Sequence, residues 1–552
     1  MNLNKILVLL IIALFFSMPN TFAFSNQTNI DFFTKDKSLL NMDSAKSLWS
    51  FQGKNIDYKK GQLIVKFKES IEIDAQTKKV SVNLKGICKL SPKAKENINI
   101  LNTVNEKKEI KSMQRLSKEE EREKESPLSN VYIVETDENT DIMQLIKEYE
   151  NSVLVEYAEP NYWVHALETP NDPSYTSQWG LTKINISGAY DIEKGDSNIV
   201  IAIIDTGVDW NHNELSSKIW NNTGETLDGS DTDGNGYVDD IRGWDFVNTD
   251  NNPTDDESHG THCSGIAAAQ TNNSIGMAGV CWNCTIMPVK CLDDTGSGTY
   301  ADVALGIEYA ANNSVDVISL SLGGAYDSNL VEDAVNYAYS KGVIVIAAAG
   351  NEYNDDKHYP AAYDNAFAVT ATTTSDSKAS FSTYGYWTDI GAPGANIYST
   401  LPNNQYVSWD GTSMATPFVA GLAGLLLSKN NSLNPDMIET IIKSTSDPFA
   451  SSSYMGIGRI NAYKALLKAN STIIAKINDS MKGKTYGSFI TINGTANGTY
   501  FANYSLYYGS GIYPSNWNHI FTHTAAASNE NLSIWNSNGL SDGTYTIKLI
   551  VN

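Results

Sequence analysis

One pattern repeats from residue 199 to residue 371. Short apolar runs at 199–204, 285–290, 317–320, 343–348 and 366–371 alternate with helically spaced stretches such as 300–312 and 330–340. Continuous apolar runs read as strands buried on both faces, so the repeat predicts an α/β fold with a parallel sheet and helices on both faces. The run 414–427 is apolar all round and predicts a fully buried helix. Upstream, 59–67 alternates apolar and polar residues as a half-buried strand does, 131–135 and 153–162 are further strands, and 142–149 has helical spacing. The charged stretch 118–124 reads as a solvated helix or loop. A small α+β unit therefore precedes the α/β domain. After 456–463 the composition shifts to Asn, Thr, Ser, Tyr and Gly, and 488–495 and 543–551 alternate like sandwich strands separated by turns. The expected organisation is a leader at 1–23, an α+β unit at 24–168, the α/β domain at 169–470, and an all-β sandwich-like module at 471–552 that stops straight after a strand.

The leader is read from Lys5, the apolar run 6–18 and the small residue Ala23, the pattern of a secretory signal peptide. The run is short for spanning a bilayer, and no later segment is apolar enough, so no membrane association is expected after cleavage. Charge sharpens the picture. The net charge of −23 lies entirely beyond residue 166, because residues 1–166 hold 23 basic and 23 acidic side chains. Such a surface repels nucleic acid. It fits hard cations, which take carboxylate and carbonyl oxygens.

Three glycine-rich segments carry the candidate chemistry: Ile-Asp205-Thr-Gly, His259-Gly-Thr-His262-Cys-Ser-Gly and Gly-Thr-Ser413-Met-Ala-Thr-Pro. A serine hydroxyl needs a neighbouring base, and the base needs a carboxylate to fix its tautomer. Asp205 ends a strand, where sites of open α/β sheets form. Ser413 opens the buried helix, whose free N–H groups favour a developing oxyanion. The chain order Asp, His, Ser is that of subtilisins, and Ser413 lacks the Gly-x-Ser-x-Gly elbow of α/β-hydrolases.

On these motifs the chain resembles the subtilisin-like serine proteases (subtilases) over about residues 172–468. The resemblance implies a subtilisin-like fold with Asp205, His259 and Ser413 as catalytic residues, the first histidine being the base and His262 structural. It implies Asn351, in Ala-Ala-Ala-Gly-Asn351, as the oxyanion donor. It implies substrate-binding edges at Ser321, Leu322, Gly323, Gly324, Ala349 and Gly350, where an extended peptide adds as a strand. Segment 351–360 then walls the first specificity pocket; His358 either reaches it or is a surface histidine. The α+β unit resembles the family's propeptide, which templates folding and then inhibits, with cleavage expected around 164–171.

Two calcium loops are expected. Asp231-Thr-Asp233-Gly-Asn235-Gly-Tyr237 begins like an EF-hand loop, but position 12 is Arg242, so Asp239 or Asp240 must complete the shell. The second loop, 271–279, resembles the family's tight structural site, implying oxygens from Glu214, Thr271, Asn273, Ile275 and Met277. Cys88 falls in the segment expected to be removed. Cys281-Trp-Asn-Cys284 has no second Cys pair and no histidine pair beside it, which argues against zinc; a local disulfide and buried free thiols both stay open, Cys263 is expected to pack beside His259 and not to act as a nucleophile, and the pairing of Cys263 and Cys291 stays open. Sequons at Asn221, Asn493, Asn497 and Asn531 matter only in a host that glycosylates. The expected protein is a secreted, monomeric, calcium-stabilised serine endopeptidase. It is made as a self-processing precursor, its partners being protein or peptide substrates and its own propeptide. A non-catalytic calcium-dependent surface protein is the competing class, against which the three motifs and Asn351 weigh.

Overall fold

Alternate residues of the central strand Val200–Asp205 (β1) face opposite sides: Ile201 and Ile203 enter one core, Ala202 and Ile204 the other. That period-two split of an all-apolar run is what a strand buried on both faces produces. In this computed structural model the described residues are 6–12, 58–68, 71–73, 80–82, 92–108, 110–116, 128, 130–163, 169–449, 454–478, 485–499 and 501–552. Cys88, stretch 118–124, most of the leader and most of the expected processing window lie outside them.

The remaining strands of the sheet are Trp244–Asp245 (β2), Thr285–Lys290 (β3), Val317–Leu320 (β4), Ile344–Ala348 (β5), Ala366–Thr372 (β6) and Ile390–Pro393 (β7). They pair in the order β7-β6-β5-β4-β1-β3-β2, and every pairing is parallel. Helices His259–Ala268 (α1) and Thr412–Lys429 (α4) contribute to the core on one face, and Tyr300–Asn312 (α2) and Asn329–Ser340 (α3) to the core on the other. Capping sets where α2 and α3 begin: Thr299 and Ser328 each accept an N–H of the first turn through the side chain. The all-round apolar α4 is buried along 15 of its 18 residues, as its composition requires.

The chain divides into two compact units, Phe22–Ala166 and the remainder. The first holds an antiparallel four-stranded sheet of Ser112–Arg115, Val131–Glu135, Tyr58–Phe67 and Val155–Tyr162, with helices Pro92–Lys107 and Ile142–Glu150. Its core gathers Leu63, Val65, Phe67, Leu101, Val134, Leu145 and Tyr149. The second unit carries the α/β sheet and, after it, strands of two further sheets sharing the core of Ile490, Ile492, Leu506, Trp535, Ile547 and Leu549. The apolar run read as a leader contributes strand Ile6–Ile12 to the larger of these sheets, in parallel register with Gly543–Val551. A short Ile/Leu/Val run has strand propensity as well as leader hydrophobicity, and the pairing satisfies the backbone of the Gly543–Val551 edge.

Candidate active site

β1 delivers Asp205 at its carboxyl end, with no solvent exposure. Its Oδ1 accepts the Thr206 N–H at 2.7 Å and lies 2.8 Å from His259 Nδ1. His259 is the first residue of α1 and follows Ser258, held at φ 107°. A non-glycine residue costs free energy there, and such strain persists where surrounding bonds over-determine it. Those bonds are on Asp255, whose carboxylate accepts from Ser258 N–H, Thr261 N–H and the Thr206 hydroxyl. Strand end and helix start are thus tied through one buried acid. Burial disfavours a charged His259, but the Asp205 carboxylate and the Cys263 sulfur together raise the imidazole pKa well above its ordinary value.

Ser413 stands in the first turn of α4. Its hydroxyl donates to the Ser321 carbonyl at 3.1 Å, and the Ser321 hydroxyl donates back to the Ser413 carbonyl at 2.8 Å. Cys263 sits under both partners, its Sγ 3.9 Å from His259 Nδ1 and 3.5 Å from the Ser413 carbonyl. The thiol is buried, and burial raises its pKa, so it stays protonated and unreactive. Asn351 is fixed from one end: its Oδ1 accepts the Thr412 N–H at 2.9 Å and the Thr412 hydroxyl at 3.1 Å. The Asn351 amide is thereby anchored to the residue directly before Ser413. His262 is fully buried, stacks on Trp409 at 4.6 Å, and is driven by burial to a pKa of about 3, so it stays neutral.

Ser321, Leu322 and Gly323 line a cleft of about 530 Å³ together with His259 and Tyr300. Gly324 pairs with Tyr359 through two backbone bonds of 2.8 Å, Ala349 continues the sheet to Val369, and Gly350 donates to the Thr412 hydroxyl. Sequence reasoning missed Lys290, which is buried on β3 opposite Asp205. Its ammonium donates to the carbonyls of Thr206 and Leu292, both at 2.8 Å, and pairs with Asp256. A buried lysine at a strand end in an apolar run was its only signal.

The acidic loop is arranged differently from the EF-hand expectation. Carboxylate oxygens of Glu225, Asp231 and Asp233 lie within 4.8 Å of one another. Asp239 instead accepts from the N–H groups of Asp228 and Gly229, while Asp240 is buried against Asn222, Asn235 and the Tyr309 hydroxyl. Asn235 Oδ1 accepts the Tyr237 N–H, and the Tyr237 ring packs on Trp244 and Tyr309. In the second loop Glu214 accepts from Asn273 Nδ2, Met277 N–H and the Tyr406 hydroxyl. Burial pushes its carboxyl up to about 7. Asp172, also missed, accepts the N–H groups of Asn272 and Asn273. Thr271 is buried and its hydroxyl accepts from Gly279; Ile275 is exposed. Cys281 and Cys284 form a disulfide, and Cys263 and Cys291 are free and buried.

Asp205 and His259 share a hydrogen bond, and Cys263 touches both His259 and the Ser413 carbonyl, an arrangement compatible with a serine hydrolase site built on a parallel α/β sheet. Residues 196–488 match the subtilase family, Peptidase_S8. Thermitase of Thermoactinomyces vulgaris is 48% identical over 300 residues, covering 54% of this chain and 99% of that protein. The thermophilic serine proteinase of Bacillus sp. (strain AK1) is 44% identical over 324 residues, 58% of this chain and 75% of that protein. Subtilisin E of Bacillus subtilis (strain 168) is 36% identical over 325 residues, 58% of this chain and 77% of that protein. The chain belongs to the subtilase family and is a serine endopeptidase.

Proposed function

We propose that this endopeptidase is secreted, stabilised by calcium, and made as a precursor that removes its own N-terminal unit. The observation that carries the reading is the partition of the chain. The unit Phe22–Ala166 has its own sheet, helices and core, and it precedes the catalytic sheet in sequence. The net negative charge of the rest and the disulfide Cys281–Cys284 suit an extracellular setting. No helix among the described residues is long and apolar enough to cross a membrane. Release of the leader would also take strand Ile6–Ile12 from its sheet, leaving Gly543–Val551 as an edge.

In this reading Ser413 attacks the peptide carbonyl and His259 takes its proton, then passes it to the leaving amine. Asp205 holds the ring by Nδ1 and stabilises its charged form. The oxyanion is met by the Asn351 amide and the N–H groups opening α4. Calcium would be held by the carboxylates of Glu225, Asp231 and Asp233, and by Glu214, Asp172 and Asn273 in the second loop. Both donor sets are all oxygen, and Glu214 is a buried acid whose bonds come only from neutral donors. The ion would supply charge compensation there and take no part in the reaction.

The reading is tested on the precursor. Purified Ser413→Ala should stay full length, while the wild type loses residues up to about 164–171, followed by gel and N-terminal sequencing. Normal self-processing of the variant would remove the self-cleavage step. The base adds a pH expectation. His259 works as the neutral ring, and its pKa is raised, so kcat/KM should be lost on the acid side and rise with pH until it levels off above that pKa. The acid limb should therefore lie above pH 6.5, the ordinary imidazole value. A limb at or below it, measured by stopped assay from pH 5 to 10, would contradict the Asp205 assignment.

A further inference from the structure

The bond between Asp205 and His259 joins a strand end to a helix start 54 positions away. One hydrogen bond fixes a distance but leaves the plane of the ring free. Two buried charged groups that take no part in the proton transfer hold the junction itself. Asp255, 6% exposed, spreads its carboxylate over both sides of it. Oδ1 accepts the Thr206 hydroxyl at 2.8 Å and the N–H groups of Glu257 and Ser258 at 3.1 and 2.7 Å. Oδ2 accepts the N–H and the hydroxyl of Thr261 on α1. The Thr206 oxygen closes the ring by accepting the Gly260 N–H at 2.9 Å, so this one hydroxyl donates to the acid and accepts from the helix. Lys290 grips the same turn by its backbone. Its ammonium, on a side chain 1% exposed, donates to the Thr206 and Leu292 carbonyls and pairs with Asp256 at 2.6 Å. The junction has no slack, because a β carbon on Gly260 would lie 2.1 Å from the Gly207 carbonyl oxygen.

Resting on the mechanism proposed above, we propose that Asp255 is a positioning residue for the reaction, and that Lys290 with its counter-ion Asp256 is the second arm of the same clamp. The two arms lock the turn after Asp205 to the start of α1, so that His259 meets Asp205 in the reacting geometry. Asp255 works through hydrogen bonds that only a carboxylate can accept in full. Every group around it except the Thr206 hydroxyl and the Thr261 hydroxyl is a pure donor, and these donors face both oxygens. An asparagine there turns its NH₂ either toward Glu257 and Ser258 or toward the Thr261 N–H, so one side of the junction is released whichever way the amide lies. Ser258, held at φ 107°, is then free to relax, and His259 is the next residue. The Lys290 arm works on the other end of the turn. Asp256 directly follows Asp255, so the chain that carries the inner acid is also pinned to β3. Neither acid lines the substrate cleft among the described residues, which takes its wall from Glu257, His259 and Thr206 instead.

The test compares wild type, Asp255→Asn and Asp256→Asn, each expressed as the full chain and allowed to mature. Fluorophosphonate titration carried to completion counts the folded active sites, so every rate is expressed per site. In Asp255→Asn kcat should fall by ~10²-fold, the scale for a small misplacement of a reacting group by a remote change. KM should stay within about twofold, as expected for an interaction that acts on the reacting geometry and not on substrate binding. The far-downfield proton resonance of the hydrogen bond shared by Asp205 and His259 should weaken or move upfield in the same variant. Asp256→Asn, at a side chain 47% exposed, should fold as wild type does and lose kcat several-fold with KM unchanged. If the Asp255→Asn precursor fails to mature, Asp256→Asn decides alone. Variants that melt earlier but keep the wild-type kcat per site and an unmoved resonance would make both acids merely structural and overturn the proposal. A raised KM at constant kcat would overturn it too, by placing the effect on substrate binding. Failure of the fluorophosphonate to label Ser413 in wild type would instead overturn the mechanism on which the clamp rests.

Discussion

Ser413→Ala should abolish hydrolysis of casein while leaving the fold intact. The expected loss in kcat is on the order of 10⁶, the loss known for removing a subtilisin's nucleophile and not a value derived from these distances. The geometry explains why the fold survives. Among the described residues the hydroxyl donates to the Ser321 carbonyl, and α4 is held by its buried apolar residues. The helix start does not depend on Ser413, since Thr412 is the residue that ties Asn351 and Gly350 together. Ser413→Ala protein should therefore unfold in a single cooperative transition and keep its circular dichroism, as a change that removes one hydrogen bond does. Activity within tenfold of wild type would show that another group is the nucleophile. Cys263 is the nearest alternative, and its burial and raised pKa argue that it cannot serve.

Removing calcium should destabilise the catalytic unit strongly. A ligand that binds only the folded form adds about 4 kcal/mol when its free concentration is 1,000 times its Kd. Without a cation, Glu225, Asp231 and Asp233 keep their carboxylates within 4.8 Å of one another, and like charges so close repel. Chelation should lower Tm by several degrees and speed self-digestion in the mature enzyme. Glu225→Gln with Asp233→Asn should reproduce part of that loss in excess calcium, because only one of the two loops is affected. Asp239→Asn should do less, since that carboxylate is spent on the Asp228 and Gly229 N–H groups. The measurement is thermal melting of Ser413→Ala protein, which cannot digest itself, with and without chelator. Superimposable curves on protein shown to be metal-free would remove both calcium loops.

The sequence by itself carried the chemistry that is local. Each catalytic candidate sits in a short motif whose neighbours dictate its setting: an apolar run ending in Asp205, small residues after His259, a fully apolar helix after Ser413. The parallel sheet with helices on both faces was legible for the same reason, since buried strands and helices leave different periods in the chain. Tertiary structure decided what depends on approach between distant residues. Asp205 and His259 are 54 positions apart, and Cys263 and Ser413 150, and the packing of α1 and α4 over the sheet brings them together. Folding also decided which carboxylates lie together: those of Glu225, Asp231 and Asp233 come within 4.8 Å of one another, while Asp239 accepts from the Asp228 and Gly229 N–H groups. Lys290 and Asp172 left no motif, since one is a lone cation in an apolar run and the other an acid in a polar stretch. Cys281 and Cys284 stayed open between thiols and a disulfide until their Cα atoms were placed 5.4 Å apart. His358 shows the division most clearly. It lies 35 positions from Gly323 in the chain, and the missing side chains of Gly323 and Gly350 leave the space its ring occupies.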